Sequence, residues 1–244
     1  MRRIFISLSF LTISLTACTE ASPYTIDEKA TVNASWKVND VISQDMCLGD
    51  AYNAIESCDR QFLGITTQRL VLVQNFHSSG AKATDPYLIN DAHKLPSDPD
   101  FKIYGTLISW YKNGQKAIET HFQEGQPQGL SLEWFETGQK RSEGRFENGQ
   151  EQGSWIIWHK NGQKQEEGQY QNGRHQGLWT YWYNHGQKAM EGHYLNDQRQ
   201  GVWTFWHKNG QKKAEGATQE GYEQGMWTYW DERGQLIKET NFSR

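Results

Sequence analysis

Acidic side chains recur along the sequence at a fixed spacing, and this is the first pattern that could support chemistry. A glutamate returns every 24 residues in six copies, at Glu119, Glu143, Glu167, Glu191, Glu215 and Glu239. Acid–base catalysis by paired carboxylates needs two of them in one pocket with different environments. Six equivalent, evenly spaced glutamates do not provide that arrangement. The pattern instead predicts structural acceptors for lysine, tryptophan N–H or backbone donors.

Histidines give no catalytic or metal-binding grouping either. His159 and His207 occupy equivalent places in the repeated pattern. The other copies hold Tyr111, Phe135, Tyr183 and Asp231 at this place. Such variation indicates surface positions. It does not indicate metal ligands, because a metal site needs several ligands close together with suitable spacing. No Ser-His-Asp grouping, phosphate-binding loop or nucleotide fingerprint occurs in the sequence. We therefore expect a protein that is not an enzyme and that uses no metal or cofactor.

Cys47 and Cys58 form an isolated pair among the 3 cysteines of the chain. In an oxidising compartment, such a pair is typical of a disulfide. A metal site would need further cysteine or histidine ligands nearby, and the sequence has none there. We predict a disulfide between these two residues.

The first residues have the pattern of an export signal. Arg2 and Arg3 precede an apolar run from Ile4 to Leu15, which is shorter than the roughly 20 residues that a transmembrane helix needs. The following "LTAC", ending at Cys18, resembles the lipobox of bacterial lipoproteins. This resemblance implies removal of residues 1–17 and a diacylglycerol on Cys18. An ordinary signal peptide with a chance cysteine is the alternative.

The lipoprotein resemblance also implies a place in the cell envelope. Thr19 follows the cysteine. An aspartate at this position is the usual signal for retention in the inner membrane. The threonine therefore favours the outer membrane. Residues 18–35 are polar and are expected to form a tether between the lipid and the fold. Loss of Arg2 and Arg3 would shift the formal charge from -4 to -6. An acidic protein has no general attraction to nucleic acid.

The elements that position these side chains follow from the 24-residue repeat over residues 105–244. Each copy contains a segment such as "WTYWY", which favours a pleated strand, and then a Gly-Gln pair that marks a hairpin turn. The chain is only 36% hydrophobic but has 11 Trp, 11 Tyr and 10 Phe, which suits a thin structure shielded by aromatic rings. The pattern therefore predicts an all-β fold of two short strands and two turns per copy.

The type of the Gly-Gln turn has two interpretations. A bulged three-residue loop needs a left-handed conformation only at the glycine, which is the one residue of the turn present in every copy. A two-residue type I′ turn would instead place Trp155 opposite Gly168, which is a large side chain over a small one. The glycine favours the bulged loop and the packing favours the two-residue turn, so the register stays open at this point.

Tryptophans recur in two columns. Trp155 and Trp158 lie three residues apart on one strand, so they point to opposite faces of a sheet. A single hairpin is marginally stable, whereas stacked hairpins give every tryptophan a neighbour and so create a core. Exposed rings would form an interaction ladder, whereas covered rings would form a core. The ladder residues are Trp110, Trp134, Trp155, Trp158, Trp179, Trp182, Trp203, Trp206, Trp227 and Trp230.

The repeat G-x-W-T-x-W-x-x-N-G-Q-K-x-x-E-G-x-Y resembles the MORN repeat (membrane occupation and recognition nexus) in its bacterial variant form, as in YwqK-like antitoxins. The resemblance covers residues 105–244 in six copies. It implies an elongated, single-layer antiparallel sheet of 24-residue β-hairpins and a role in contacts with proteins or membranes. It implies no catalytic residues.

Residues 36–100 lie outside this resemblance, but part of them repeats its pattern. Phe76, Gly80 and Asp85 are spaced as the tryptophan, glycine and glutamate of a full copy are. The next copy follows after 34 residues rather than 24, and the loop "NDAHKLPSDPD" with its Pro and Asp residues accounts for the excess. We predict a degenerate first repeat at about 69–90, since terminal repeats are often atypical.

These features together predict a lipid-anchored envelope protein that acts as a protein-interaction or scaffold module. Its expected partner is another envelope protein of unknown identity, and the membrane is contacted through the N-terminal lipid. Two alternatives stay open. An aromatic ladder could bind glycan or lipid, and the YwqK-like resemblance suggests an antitoxin or immunity protein. Export argues against a cytoplasmic toxin as the target, so the toxin would act on the envelope.

Overall fold

The computed structural model describes residues 24–26, 37, 39–48, 55–94 and 99–242. The predicted signal peptide, Cys18 and most of the tether lie outside these residues. Within the described part, every regular element is a β-strand, and no helix is long and apolar enough to cross a membrane. The sixteen strands are β1 (Val41–Leu48), β2 (Ile55–Ile65), β3 (Val71–His77), β4 (Tyr87–Ile89), β5 (Ile103–Trp110), β6 (Lys116–Gln123), β7 (Gln126–Trp134), β8 (Lys140–Glu147), β9 (Gln150–Trp158), β10 (Lys164–Gln171), β11 (Arg174–Trp182), β12 (Lys188–Leu195), β13 (Gln198–Trp206), β14 (Lys212–Gln219), β15 (Tyr222–Trp230) and β16 (Leu236–Phe242).

All sixteen strands belong to one antiparallel sheet, in which strand order follows chain order from β1 to β16. Strands β5 to β16 are the six predicted hairpins, two strands to each 24-residue copy. The predicted all-β architecture of antiparallel hairpin repeats is therefore confirmed. Neighbouring strands lie about 4.8 Å apart, so each hairpin extends the sheet by roughly 10 Å.

The Gly-Gln turns are bulged loops. In the turn after β9, the N–H of His159 donates to the carbonyl of Gln163 (2.8 Å), and the N–H of Gly162 donates to the carbonyl of His159 (2.9 Å). Gly162 has a φ of 83°, whereas Asn161 is not among the residues with positive φ. These are the features of a three-residue loop with glycine in the left-handed position.

A second irregularity reconciles this loop with the packing argument. Directly after the turn, β10 carries one extra residue, Gln165, which shifts its pairing with β9 by one position. Beyond the bulge, Trp155 lies opposite Gly168, as a two-residue turn would also have placed it. The two interpretations of the sequence are thus not exclusive, because a bulge in the strand compensates for the longer loop.

The turns at the opposite edge of the sheet are two-residue turns. Between β10 and β11, Asn172 and Gly173 have φ values of 52° and 74°, and the flanking residues Gln171 and Arg174 pair with each other. Positive φ at both central residues defines a type I′ turn, whose twist suits a hairpin. Further along, β11 bulges around Gly177, which has a φ of 69°.

The first strands pack around a conventional apolar cluster. Its buried members are Phe62, Ile65, Val71, Val73, Tyr87, Ile89 and Ala92. The turn after β3 has the same pair of hydrogen bonds as the later Gly-Gln turns, from His77 N–H to Ala81 O (2.8 Å) and from Gly80 N–H to His77 O (2.8 Å). The degenerate repeat at about 69–90 stays a prediction.

Cys58 lies on β2, buried at 1% exposure, and is disulfide-bonded. The side chain of Cys47 lies outside the described residues. The predicted pairing of Cys47 with Cys58 therefore stays a prediction.

Candidate interaction surface

The two faces of the repeat sheet carry different side chains, and β11 shows the division. Trp179 and Tyr181 lie on one face, with their ring centroids 6.0 Å apart. Thr180 and Trp182 lie on the other face, where Thr180 donates a hydrogen bond to Glu191 (2.9 Å). Because side chains alternate along a strand, the same division recurs in the other hairpins. We call the first the aromatic face and the second the lysine–glutamate face.

On the aromatic face, each tryptophan ring covers a glycine of the preceding strand. The ring of Trp203 lies over Gly192, where an added Cβ would stand 2.3 Å from the ring. Its indole N–H donates to the backbone carbonyl of His193 (3.1 Å), which satisfies the polar group of the buried ring. The sequence predicts Trp155 against the glycine of the following strand, but its ring leans back over Gly144. Each hairpin is thereby tied to the one before it.

This tryptophan column is core rather than open surface in the C-terminal repeats. The exposed fractions of Trp179, Trp203 and Trp227 are 1%, 0% and 2%, and Trp155 is half-buried. Tyrosine rings cover the tryptophans edge-on, as Tyr194 does at 5.0 Å between its centroid and that of Trp203. Edge-to-face packing of this kind contributes beyond the buried area itself.

On the lysine–glutamate face, the second tryptophan column lies beneath lysines of the preceding repeat. The ammonium of Lys212 stands 5.9 Å from the centroid of the Trp230 ring and 2.6 Å from the carboxylate of Glu215. Thr204 donates to the same carboxylate (2.9 Å). The hydrogen bond from Lys212 lowers the pKa of Glu215, against the opposing effect of burial. The same ion pair, with a glutamate three residues further on, is formed by Lys116, Lys140, Lys164 and Lys188.

A column of histidines and tyrosines links consecutive repeats, and its interpretation as variable surface was wrong. The hydroxyl of Tyr183 donates to the carbonyl of Trp206 (2.8 Å), and Nε2 of His159 donates to the carbonyl of Trp182 (2.9 Å). Equivalent bonds are made by His77, Tyr111 and His207. The variation of residue type in this column does not indicate a surface, because tyrosine and histidine both carry a hydrogen-bond donor at the far end of a ring. Phe135, buried at the same place, has no donor.

One place on the aromatic face departs from the pattern of the repeat. Asp197 is the second residue of a type I′ turn and has a φ of 68°. The other copies have Gly125, Gly149, Gly173 and Gly221 at this position. The Oδ1 atom of Asp197 accepts from the backbone N–H (2.7 Å) and from Nδ1 (2.8 Å) of His175. The Nε2 atom of His175 accepts from the hydroxyl of Tyr170 (3.2 Å).

Glu166 lies in the same area of the aromatic face. It pairs with Tyr181 on β11 and with Ile157 on β9, and it is half-buried. The other copies place Ile118, Ser142, Met190, Ala214 and Lys238 at its position. The fold therefore does not require a carboxylate there. We call Glu166, Tyr170, His175, Tyr181 and Asp197 the Glu166 patch.

The electrostatics of the patch favour positive ligands. Burial raises the pKa of Glu166, and the nearby His175 opposes this less strongly. Burial also raises the pKa of Tyr170 to about 12, and the charges of Glu166, Glu151 and Asp197 add to the effect. Burial acts to raise the pKa of Asp197, but the hydrogen bonds from His175 lower it overall. Tyr170 thus stays protonated near neutral pH and is no nucleophile.

The described residues contain no group of three or more His, Cys, Asp or Glu side chains arranged to hold a metal ion. The Glu166 patch instead combines carboxylates with aromatic walls. The His175 ring lies 4.2 Å from that of Trp179 and 5.0 Å from that of Tyr194, centroid to centroid. Ring faces and carboxylates both attract cations, so this arrangement suits an organic cation.

A second exposed feature follows the glycine bulges. Aliphatic side chains stand directly after the bulge glycine in four repeats and are 46–60% exposed, namely Leu130, Leu178, Val202 and Met226. By alternation with the following tryptophan, they lie on the lysine–glutamate face. They form an apolar ridge that runs across the strands.

Comparison with known families gives one match. Segments 151–172, 176–196, 199–218 and 223–243 match the MORN repeat variant. The matched segments lie within β9 to β16, the last four hairpins of the sheet. No curated protein matches the chain.

Proposed function

We propose that the protein is a lipid-anchored interaction module of the bacterial cell envelope, and that the aromatic face of its repeat sheet binds another protein. The observation that carries this proposal is one half-buried carboxylate, Glu166, on the aromatic face. That face also contains the ion pair of Arg141 with Glu133 (2.6 Å). On the lysine–glutamate face, five lysines have a glutamate partner. Glu166 on the aromatic face forms no ion pair with a lysine or arginine among the residues that the structure describes. A surface that already satisfies its own charges has less to gain from a partner.

The proposed anchoring rests on the N-terminal sequence. Arg2, Arg3, the apolar run and Cys18 have the order of a lipoprotein signal, and Thr19 favours the outer membrane. Stable attachment needs two or more acyl chains, which the diacylglycerol on the cysteine would supply. We expect a Cys18→Ser variant to incorporate no labelled palmitate and to accumulate unprocessed. Unchanged labelling and membrane fractionation of this variant would contradict the proposed anchor.

The proposed face can be tested with two adjacent positions that point in opposite directions. Ile157 pairs with Glu166 on the aromatic face, whereas Ile156 pairs with Glu167 on the lysine–glutamate face. A photoreactive amino acid of leucine size at either position changes the chain equally little. In intact cells, we expect a discrete crosslinked protein from position 157 and none from position 156.

The same experiment contains its own control, because both positions are half-buried and belong to one strand. Crosslinks of equal yield from both positions, or from position 156 alone, would rule out the aromatic face as the binding surface. A Cys18→Ser background shows whether the contact depends on the membrane anchor.

The two alternatives have less support. Stacking of sugars or lipids needs open rings, and the burial of Trp179, Trp203 and Trp227 disfavours it. The role of an antitoxin or immunity protein against an envelope-acting toxin rests on the YwqK-like resemblance of the sequence. That role is also a protein–protein contact, and the crosslinked partner would identify it.

A further inference from the structure

We propose that Asn148 and Asn172 are sites of spontaneous chemical modification, at which the side-chain amide is converted to a carboxylate. Both residues lie in two-residue turns at one edge of the sheet, and both are followed by glycine. The reaction adds negative charge to that edge as the protein ages. It is independent of the proposed binding face, because neither its chemistry nor its test involves a partner protein.

The chemistry is that of asparagine followed by glycine. The backbone nitrogen of the glycine can attack the side-chain Cγ atom of the asparagine, because glycine has no side chain to obstruct the approach. A bond forms between that nitrogen and Cγ, the bond from Cγ to Nδ2 breaks, and ammonia leaves with the proton of the glycine nitrogen. Water then opens the cyclic imide and gives aspartate or isoaspartate. No reagent other than water is needed.

The chain contains five Asn-Gly pairs, which lie in two kinds of turn. Three belong to the bulged Gly-Gln turns, at Asn113, Asn161 and Asn209. The other two, Asn148 and Asn172, are the first central residues of type I′ turns and have φ values of 50° and 52°. All five asparagines are exposed, so access to water does not distinguish the two groups.

In the bulged turns, the asparagine side chain is held at both ends. The Nδ2 atom of Asn209 donates to the carbonyl of Glu232 in the next repeat (2.6 Å), and its Oδ1 atom accepts from the N–H of Gln211 (3.0 Å). Asn113 and Asn161 make the equivalent pair of bonds. Attack at Cγ requires the side chain to rotate and Nδ2 to leave. Both hydrogen bonds must therefore break before the reaction can occur.

In the type I′ turns, the backbone is fixed but the asparagine side chain is not. The backbone N–H of Asn172 donates to Oε1 of Gln152 (2.8 Å), and that of Asn148 donates to Oε1 of Gln128 (2.8 Å). Neither side-chain amide has a hydrogen-bond partner among the described residues. The amides of Asn148 and Asn172 can thus rotate towards the backbone without the loss of a bond.

The attacking nitrogen does not separate the two groups. The N–H of Gly210 in a bulged turn donates to the carbonyl of His207 (2.9 Å), and the N–H of Gly173 in a type I′ turn donates to the carbonyl of Glu151 (3.0 Å). The nucleophile is hydrogen-bonded in both cases. We therefore assign the difference in reactivity to the asparagine side chain.

The fold already accepts an acidic side chain at this place in the type I′ turn. Glu124 and Glu220 stand there in two other repeats, with φ values of 52° and 51°. Conversion of Asn148 or Asn172 to aspartate places a carboxylate in a backbone conformation that the chain already uses with one. Each event lowers the formal net charge of the chain by one.

The test follows all five sites in one sample of the intact chain, purified in detergent. The protein is incubated at mildly alkaline pH and then digested with chymotrypsin, which cleaves after aromatic residues and releases each Asn-Gly pair in a separate peptide. Digestion in H₂¹⁸O labels any conversion that occurs after the incubation. Mass spectrometry measures the converted fraction over time. We expect Asn148 and Asn172 to convert about ten times faster than the other three, which must lose two hydrogen bonds.

Unfolding provides the matched control. In concentrated urea the side-chain hydrogen bonds are lost and glycine follows every asparagine, so the five rates should become similar. Equal rates at all five sites in the folded protein, or faster conversion in the bulged turns, would overturn the proposal. A difference between the two groups that persists unchanged in urea would assign the effect to the flanking sequence and would overturn it as well.

Variants that carry the product test the tolerance of each turn. We expect Asn172→Asp to unfold at the same temperature as the unchanged protein, because the equivalent turns contain Glu124 and Glu220. Asn209→Asp is the matched control. It replaces the donor to the carbonyl of Glu232 with an acceptor, so its unfolding temperature should be lower. An equal or larger loss in Asn172→Asp would show that the type I′ turn does not accept the product.

Discussion

The two faces of the repeat sheet each carry a column of tryptophans, but they stabilise those columns in different ways. On the aromatic face, Trp203 lies flat over Gly192 and is fully buried. On the lysine–glutamate face, Trp206 is half-buried beneath the ammonium of Lys188. The first arrangement depends on close packing and the second on solvated charges. One residue type, repeated with one period, can therefore build a rigid core on one side of the sheet and a tolerant surface on the other.

Removal of one tryptophan from each face is the strongest test of this difference. We expect Trp203→Ala to lower the free energy of unfolding by about 4 kcal/mol, because a fully buried ring leaves a cavity. Trp206→Ala should lower it by about 2 kcal/mol, since water already reaches that ring. Urea denaturation of the two variants measures both effects. Equal losses would show that the two faces are energetically the same.

A methyl group on the covered glycine tests the packing more selectively. Gly192→Ala would place a Cβ 2.3 Å from the ring of Trp203, so we expect a loss of about 3 kcal/mol through overpacking. The matched control is Gly201→Ala, which meets open space but has a φ of 72°. Its loss should be about 1 kcal/mol, from backbone strain alone. Thermal unfolding of both variants separates steric conflict from strain.

The carboxylate of Glu166 should destabilise the aromatic face in the absence of a partner. We expect Glu166→Met, which copies the residue Met190 of the next repeat, to raise the free energy of unfolding by about 1 kcal/mol at neutral pH. Folding raises the pKa of Glu166, so the protonated form favours the folded state. The advantage of methionine should therefore disappear as the pH falls below about 4. An advantage that is independent of pH would assign the effect to packing instead.

Loss of one charge on the lysine–glutamate face should have the smallest effect. Lys188→Gln breaks the ion pair with Glu191, whose two side chains are 45% and 28% exposed. We expect the unfolding free energy to change by less than about 0.5 kcal/mol, because exposed pairs contribute little. A loss comparable to that of Gly192→Ala in the same denaturation assay would contradict the division of the two faces.

The period of the sequence was sufficient to predict the strands, the Gly-Gln turns and the separation of Trp155 from Trp158 onto two faces. The bulge at Gln165 could not be predicted from the sequence. It compensates for the length of the preceding loop, and this depends on how the two strands pair in three dimensions. The lean of each ring towards the preceding strand also depends on packing. The backbone pairing places Trp155 opposite Gly168, whereas its ring covers Gly144.

The Glu166 patch was missed for another reason. Comparison of the copies emphasised residues that recur, whereas Glu166, His175 and Asp197 are the residues that do not. The signal was present in the sequence as an aspartate in a position otherwise occupied by glycine. The role of this aspartate could be recognised only in the structure, because its contact joins His175 to a turn 22 residues further along the chain.

The absent donor at Phe135 has a consequence for how the sheet opens. In a linear array, each repeat is coupled only to its neighbours, so the weakest junction decides where cooperativity breaks. Tyr111, His159, Tyr183 and His207 each bridge to the next tryptophan carbonyl, but Phe135 leaves the junction between β8 and β9 without that bond. We therefore expect this junction to open before the others and to separate two units, β1 to β8 and β9 to β16, whose amide protons exchange independently in a hydrogen-exchange experiment. The C-terminal unit, β9 to β16, is also the part that matches the MORN repeat variant and the part that carries Glu166.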